Sequence, residues 1–590
     1  MNTRVSPTVV YAVALVLAAC SLLYELLIAQ TLATLAANTV VWYSVTIGVY
    51  LAAMGVGALA HERFAAGNLW VRLFRVELGL SVVGALAVPI LHFTHSGGLL
   101  LTYNDLVLHS NLVFFGSAFV LIATIGVLTG FELPLLIDLA NAASTERRVT
   151  NRVLAADYMG SLLAGLLFPL LLMPILGLIV IGLLTAAVNL VIAFIALRWL
   201  LPKQDRRGQR LVAGGTIAGL ILSALYFAQP IEAYFVKNYY FYSNHLKDLP
   251  GLLLSLDNVD DVQRERSPYQ RIDLVYDEAG YDSDIIIDFY STKFVQKPTQ
   301  PRNYVLFLNG DFQVTSNYED YYHEYFAHVP IANAGKTPRR VLVMGAGDGL
   351  LIRELVKYPE IESIVQVDLD PKLVEMAKTH PVLRAMNEGA LEDPRLEIHL
   401  DDAFRYIRNS TETFDAIYLD FPYVEDYNLS KLYSREFFHF VRKRLAADGF
   451  VVMDTPGIDF DEELREIYLN TMIAAGYQYI KPYVSTVERE NPEAFKMLME
   501  SGYKRVKARR FLIEHSYAVS NGFLLAGNRA PELPSYLDPD LPLHVLNEER
   551  LQLTFERRIP VLMKTEADKV NSIFRPTLPA EDIWEIRRAW

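Results

Sequence analysis

The chain has 590 residues, a single cysteine, 52% apolar side chains and a formal charge of −13 at pH 7. That length accommodates several domains. One cysteine excludes an internal disulfide and a thiolate metal site, and the acidic balance argues against a nucleic-acid partner, which needs clustered Lys and Arg. The charge is unevenly placed. Residues 1–230 carry 12 Lys/Arg against 9 Asp/Glu, and the remainder 42 against 58, so a membrane-type half precedes an acidic half compatible with small cationic substrates.

Seven apolar stretches follow one another, at about residues 8–30, 39–60, 73–93, 112–138, 154–174, 177–198 and 211–229. Each is near the ~20 residues that a spanning helix needs. Arg63, Arg72 and Arg75 follow the second stretch, Arg147, Arg148 and Arg152 the fourth, and Arg198, Lys203, Arg206, Arg207 and Arg210 the sixth; the loops after the first and third hold no Lys or Arg. Positive residues stay inside, which puts the N-terminus in the cytoplasm. Seven full crossings would then leave residues 230–590 outside it: either the last stretch does not span, or the acidic half faces outward. The chemistry read below favours a cytoplasmic catalytic domain on a multi-pass protein of the cell (inner) membrane. Leu17-Ala18-Ala19-Cys20 has the form of a lipoprotein cleavage box, but the apolar run continues past it, as in a spanning helix. Glu25, Glu132 and Asp157 lie in or beside apolar stretches, where an ionisable group is costly and is therefore a functional candidate. Pro134 and Pro169 predict kinks.

Residues 230–262 read as a connector. RIDLVYDE (271–278), DSDIIIDFY (282–290) and NYVLFLNG (303–310) read as strands of a small β-domain over about 268–315, with Asn309-Gly310 as a hairpin turn. An aromatic helix is expected over Tyr318–His328. Strands at 340–345, 363–368, 395–400, 414–420 and 449–454 then alternate with helices at 349–357, 371–379, 402–408, 434–446 and 461–475. This predicts a doubly wound parallel sheet, with ligands beyond the carboxyl ends of its strands. Val341–Met344 runs into Gly345-x-Gly347-x-Gly349, where glycines let the backbone turn and approach a ligand. The next strand ends in Asp368, placed to accept both hydroxyls of a ribose, so an adenosine-containing cofactor is expected. Asp348, Asp368, Asp402 and Asp420 all stand at strand ends and are expected to converge on one cleft. Residues 530–590 read as a polar tail with a few apolar anchors, Trp584 and Trp590 among them.

With those residues in place, residues 260–530 resemble the spermidine synthase family of polyamine aminopropyltransferases. GAGDG (345–349) is similar to the family's GGGDG, VDLD (367–370) to its VEID, DDA (401–403) to its DDG or GDA, and AIYLD (416–420) to the strand that carries its catalytic Asp. SPYQRI (267–272), LFLNGDFQ (306–313) and YHE (322–324) match its N-terminal β-domain and the start of its core. YELLIAQ (24–30), GFELPLL (130–136) and DYMGSLLAGLLFPLLLMPILGL (157–178) resemble the membrane domain fused to this enzyme in one bacterial subgroup. The resemblance implies a membrane bundle over 1–230, a connector and small β-domain over 231–330, a class I methyltransferase-like Rossmann domain over 331–530 and a C-terminal extension over 531–590. It implies transfer of an aminopropyl group from decarboxylated S-adenosylmethionine, as co-substrate, to putrescine or a related amine, with no prosthetic group and no metal. By the same likeness Gln270 and Gln313 line the nucleotide and polyamine sites, Asp368 holds the ribose, and Asp402 with Ala403 meets the adenine edge. Asp348 pairs with the amine of the aminopropyl group, His323 borders the polyamine, and Asp420 is the base. A lipid bilayer is the implied partner, and a homo-oligomer is compatible with this reading.

Two positions depart from the family's pattern. Tyr423 takes the place of a second acid after Asp420, with Glu425 and Asp426 as possible substitutes, and Tyr318 replaces the Asp of an acid pair of which Glu319 remains. A charged stretch at 484–516 stands where the family has a short loop with an amine-binding Tyr, and Tyr483 is the nearest candidate. Two other readings use the same sheet. A methyltransferase acting with intact S-adenosylmethionine is opposed by Asp348 and the β-domain. A non-catalytic membrane transporter or sensor is favoured by Tyr423 and the intramembrane acids, and opposed by Asp420.

Overall fold

The computed structural model describes residues 6–36, 39–63, 67–103, 107–143, 148–199, 207–240, 262–277, 303–316, 319–422, 424, 427–455, 462–485, 521–528, 537–556 and 566–578. The chain divides into two compact units, Met1–Val259 with Asp582–Trp590, and Asp260–Glu581. The expected strand at 282–290, Trp584, Trp590, Tyr318, Tyr423, Glu425, Asp426 and most of 484–516 lie outside the described residues.

In the first unit α1 (Pro7–Leu35), α2 (Thr39–Arg63), α3 (Leu69–Tyr103), α4 (Val107–Gly130), α5 (Glu132–Ala143), α6 (Val149–Leu167), α7 (Leu178–Arg198) and α8 (Arg207–Tyr226) account for seven spans long and apolar enough to cross a membrane, with α4 and α5 as the two parts of one span. Cys20 is buried inside α1, which continues fifteen residues beyond it to Leu35. The fourth span breaks at Phe131, and Pro134 sits in the first turn of α5, where its missing N–H costs nothing. Pro169 lies in a π-helical turn, Phe168–Leu172, the local widening that accommodates a proline inside a helix. With water absent from a bilayer core, helices associate by close packing. A Cβ on Gly130 would run into the Met54 carbonyl, so α2 and α4 touch backbone to backbone. A further helix, α9 (Ala228–Tyr240), occupies part of the expected connector. It stacks Phe235 on His92 and Tyr239 on His95, at the end of α3 remote from Arg72 and Arg75.

In the second unit β1 (Val262–Arg266), β2 (Arg271–Asp277), β3 (Asn303–Leu308) and β4 (Asp311–Thr315) form an antiparallel sheet in that order. The β3–β4 turn is Asn309-Gly310 with φ of 56° and 97°, the positive pair a two-residue hairpin requires. One face of this sheet, Ile272, Leu274, Leu306, Leu308 and Val314, packs on Leu350, Leu373 and Met376. The main sheet comprises β5 (Arg340–Gly345), β6 (Ser363–Asp368), β7 (Leu396–Leu400), β8 (Phe414–Asp420), β9 (Leu445–Asp454), β10 (Tyr479–Val484) and β11 (Gly522–Gly527), in the order β10-β11-β9-β8-β5-β6-β7. Strands β5 to β9 are parallel, but β11 runs against both β9 and β10. The five expected strands form the expected parallel sheet, and two further strands, β10 and β11, extend it with antiparallel pairing. The sequence pattern of a fully buried strand, β11 being buried throughout, carries no information on direction.

Helices α10 (Asp320–Ala334), α11 (Leu350–Val356), α12 (Pro371–Thr379), α13 (Ala403–Asn409), α14 (Arg435–Arg444) and α15 (Glu462–Ala474) surround the sheet. The described parts of the C-terminal region pack into the core. Val545, Leu546 and Leu551 join the cluster around α10, and the buried Glu324 carboxylate accepts the backbone N–H groups of His544, Val545 and Leu546 at 2.5–2.9 Å.

Candidate active site

The parallel strands reverse their winding between β5 and β8, the point at which a doubly wound sheet leaves a crevice at the strand carboxyl ends. Gly345 closes β5 and Asp420 closes β8, and the two residues are partners in register. Gly345 has φ of +93°, and a Cβ on it would strike the Asp420 carbonyl; only glycine fits. A Cβ on Gly347 would lie 2.7 Å from Asp368 Oδ2, so the loop comes close to that carboxylate. Gly349, with φ of +82°, precedes the first turn of α11, and Asp348 Oδ1 accepts the Leu350 N–H at 3.0 Å.

Three of the expected acids meet. Burial, with the charges of Asp370, Asp348 and Asp420 adding to it, pushes the Asp368 carboxyl up to about 7, although it accepts the Asp370 N–H. Burial and then the charge of Asp348 push Asp420 up to about 6, against the pull of the Tyr322 hydroxyl and His323. Tyr322 donates to Asp420 Oδ1 at 2.6 Å. A fourth acid, Asp454, closes β9 and shares the same phenol; burial and the charge of Asp420 raise it well above the carboxylate range. A neutral Asp454, a phenol and an ionised Asp420 therefore form one hydrogen-bonded line. Neither Tyr322 nor Asp454 was singled out from the sequence. Asp454 ends a parallel strand, as the other acids do, and the same strand-end rule would have found it.

Asp402 is engaged elsewhere. It caps α13 through the Arg405 N–H at 2.9 Å and pairs with Lys431. Burial works against its charge, but Lys431 and the helix N–H groups hold it below its usual range. Ala403 is buried behind it. Gln270 is half-buried in the β1–β2 turn. That turn is tied to the main sheet by Ser267, which donates to Asp370 Oδ2 at 2.8 Å, two residues from Asp368. Gln313 on β4 donates to the Asp311 carbonyl at 3.3 Å. Neither glutamine side chain bonds to the acids among the described residues. His323 is buried beside the line of acids, its Nδ1 at 2.8 Å from the Glu319 carbonyl and 3.2 Å from Glu319 Oε2. Burial opposes its charge, but Glu319 outweighs burial and raises its pKa, with Asp348 contributing. Glu319 itself is gripped by both terminal nitrogens of Arg353 at 2.7 and 2.8 Å. Tyr483 is excluded as an amine ligand in this conformation: it is fully buried and donates to the Tyr325 carbonyl at 3.2 Å. Asp320, Glu324 and His544 approach one another closely enough for a metal. The Glu324 oxygens are filled by backbone N–H groups, though, and Asp320 faces Arg353, so this cluster ties down the C-terminal segment.

What the crevice can do follows from this arrangement. It offers carboxylates to a cationic ligand, and at Asp420 a base ionised near neutral pH. A profile of the Spermine/spermidine synthase domain matches residues 319–508. The chain is 30% identical over 455 residues to a polyamine aminopropyltransferase of Oceanobacillus iheyensis, across 76% of this chain and 77% of that one. It is 29% identical over 540 residues to the Corynebacterium efficiens polyamine aminopropyltransferase, across 88% and 92%. A crystal structure of spermidine synthase from Thermotoga maritima aligns with 51% of this chain and 85% of its own, at 20% identity and a TM-score of 0.37. Likeness that holds across three quarters of both proteins, membrane-type helices included, places this chain in the polyamine aminopropyltransferase (spermidine synthase) family.

Proposed function

We propose that the chain transfers the aminopropyl group of decarboxylated S-adenosylmethionine to putrescine or a related amine, giving spermidine or a similar polyamine and methylthioadenosine. The observation that carries this reading is the meeting of Asp348, Asp368 and Asp420 at the carboxyl ends of three adjacent parallel strands. In this reading Asp368 accepts the two ribose hydroxyls, whose donation favours its ionised form. Gly345, Gly347 and Gly349 let the backbone approach the nucleoside, and Asp402 with Ala403 meets the adenine edge once Lys431 yields. Gln270 closes over the nucleoside from the small sheet, while Gln313 and His323 border the acceptor. Asp348 pairs with the donor's free amine. The same carboxylate would repel the carboxylate of intact S-adenosylmethionine, which disfavours methyl transfer.

An amine with a pKa near that of lysine, about 10, must lose a proton before it attacks. Asp420 takes that proton as the nitrogen closes on the carbon beside sulfur. The carbon–sulfur bond breaks with its electron pair going to sulfur, so the sulfonium leaves as a neutral thioether. Holding amine, carbon and sulfur in line supplies much of the rate. Asp454, held neutral, offers its carbonyl oxygen as a second acceptor for the amine where the family uses an acid at the position of Tyr423. The catalytic unit faces the cytoplasm, where an adenosine co-substrate is made, and the helical unit sits in the cell membrane.

The test gives purified protein decarboxylated S-adenosylmethionine with a panel of amines, beside the Asp420→Asn variant. Amine-dependent methylthioadenosine release that disappears in the variant supports the proposal. Methyl transfer from the intact donor, or binding without turnover, overturns it.

A further inference from the structure

Glu77 lies on α3 and Glu132 opens α5, directly after the break at Phe131. Glu77 has no exposed surface and Glu132 retains 5%. Their carboxyl groups lie within hydrogen-bonding reach of one another. Asn189 of α7 donates Nδ2 to Glu77 Oε2 at 2.9 Å, and Tyr24 of α1 reaches Asn189 Oδ1 at 3.5 Å. Oε1 of each glutamate is buried with no hydrogen-bond donor among the described residues. Among the described residues, the other titratable groups facing the pair are Cys20 and Tyr24 of α1, Tyr50 of α2 and Asp157 of α6. None of these carries positive charge.

Two carboxyl groups can hydrogen-bond only with a proton between them, because an ionised carboxylate is an acceptor alone. In low dielectric, two uncompensated negative charges in contact repel too strongly to persist. A metal cation would need about six oxygens around it, and direct carboxyl–carboxyl contact leaves no place for them. We propose that Glu77 and Glu132 form a proton-binding site inside the membrane unit, separate from aminopropyl transfer. Two features bear on its exchange with water. Arg75, two residues along α3, is exposed, so the pair lies within a turn of the positively charged end of the span. Asp157 is half-buried and within electrostatic reach of Glu132. An exchangeable proton on an intramembrane acid pair is the chemistry of proton-coupled movement.

The probe is dicyclohexylcarbodiimide, which modifies protonated carboxyls in apolar surroundings, applied to the full chain in liposomes and read by peptide mass spectrometry. Glu77 or Glu132 is expected to be modified several-fold faster than the exposed Glu62, with the rate falling as pH rises. In Glu132→Gln the amide donates to Glu77, so Glu77 should lose its reactivity. A rate that ignores pH, or Glu77 labelling that survives in the variant, overturns the proposal. Protection by Na⁺ or putrescine at fixed pH also overturns it, by assigning another cation to the pair. Should the variant fail to fold, as judged by its methylthioadenosine release, the pH profile of the wild-type protein still decides.

Discussion

Asp420, Tyr322 and Asp454 form a short line in which one phenol serves two carboxyl groups, and the acidity of Asp420, the proposed base, depends on it. Asp420→Asn is expected to lower kcat by about 10²- to 10⁴-fold, the usual contribution of a general base. Because the working form is the carboxylate and its pKa is raised to about 6, kcat/KM should fall tenfold per pH unit below that value and level off above it. Tyr322→Phe removes a hydrogen bond to the charged form. The acid limb should then move to higher pH by up to about one unit, and an unmoved limb would dissociate the phenol from the base. Asp454→Ala should raise KM for the amine by about tenfold or more, as expected for a lost hydrogen bond to a charged group. KM for the nucleoside should be unchanged; an equal effect on both substrates would assign Asp454 to packing. The glycine loop, Asp368 and Asp420 were legible in the sequence because each sits at a strand end, a position that local pattern reveals. Asp454 obeys the same rule and was passed over. Glu77, a lone acid in an apolar helix, answers to the reasoning that flagged Glu132.

Among the elements, the boundaries of α12 and of strands β5, β6 and β8 agree with the periodicity to the residue, since buried parallel strands and an amphipathic surface helix leave clear patterns. Strands β10 and β11 were not read from the sequence, and neither was the packing of the C-terminal segment. Val545, Leu546 and Leu551 are too few and too scattered to read as core until Glu324 is seen holding the backbone of 544–546. Glu324→Ala would strand three buried N–H groups. It should destabilise the catalytic unit by about 3 kcal/mol or more, measurable as a lower thermal midpoint of the full chain. A surface-like change within ±0.5 kcal/mol would mean that the tie is dispensable.

At the scale of the whole molecule, the two compact units carry opposing demands on sidedness. Nucleoside supply favours a cytoplasmic catalytic unit. α8, however, packs along α7, with Gly214 against Phe194 and Ile221 beside Ala186 and Leu190, in the manner of a seventh span. If the arginine-rich ends face inward, α9 lies at the outer end of α3. A C-terminal green fluorescent protein fusion is expected to fluoresce, and a C-terminal alkaline phosphatase fusion to be inactive. The reverse pair of results would place the catalytic unit outside the cytoplasm.

The order of elements, the number of apolar spans and the acids at strand ends were determined by the chain alone, because each depends on neighbours a few residues away. Only the tertiary structure decided which acids meet: Asp454 with Tyr322 and Asp420, Glu77 with Glu132, and Asp402 with Lys431 apart from the cleft. Those partners are separated by tens of residues or more. Strand order and helix packing bring them together, and both are long-range outcomes of burying apolar surface.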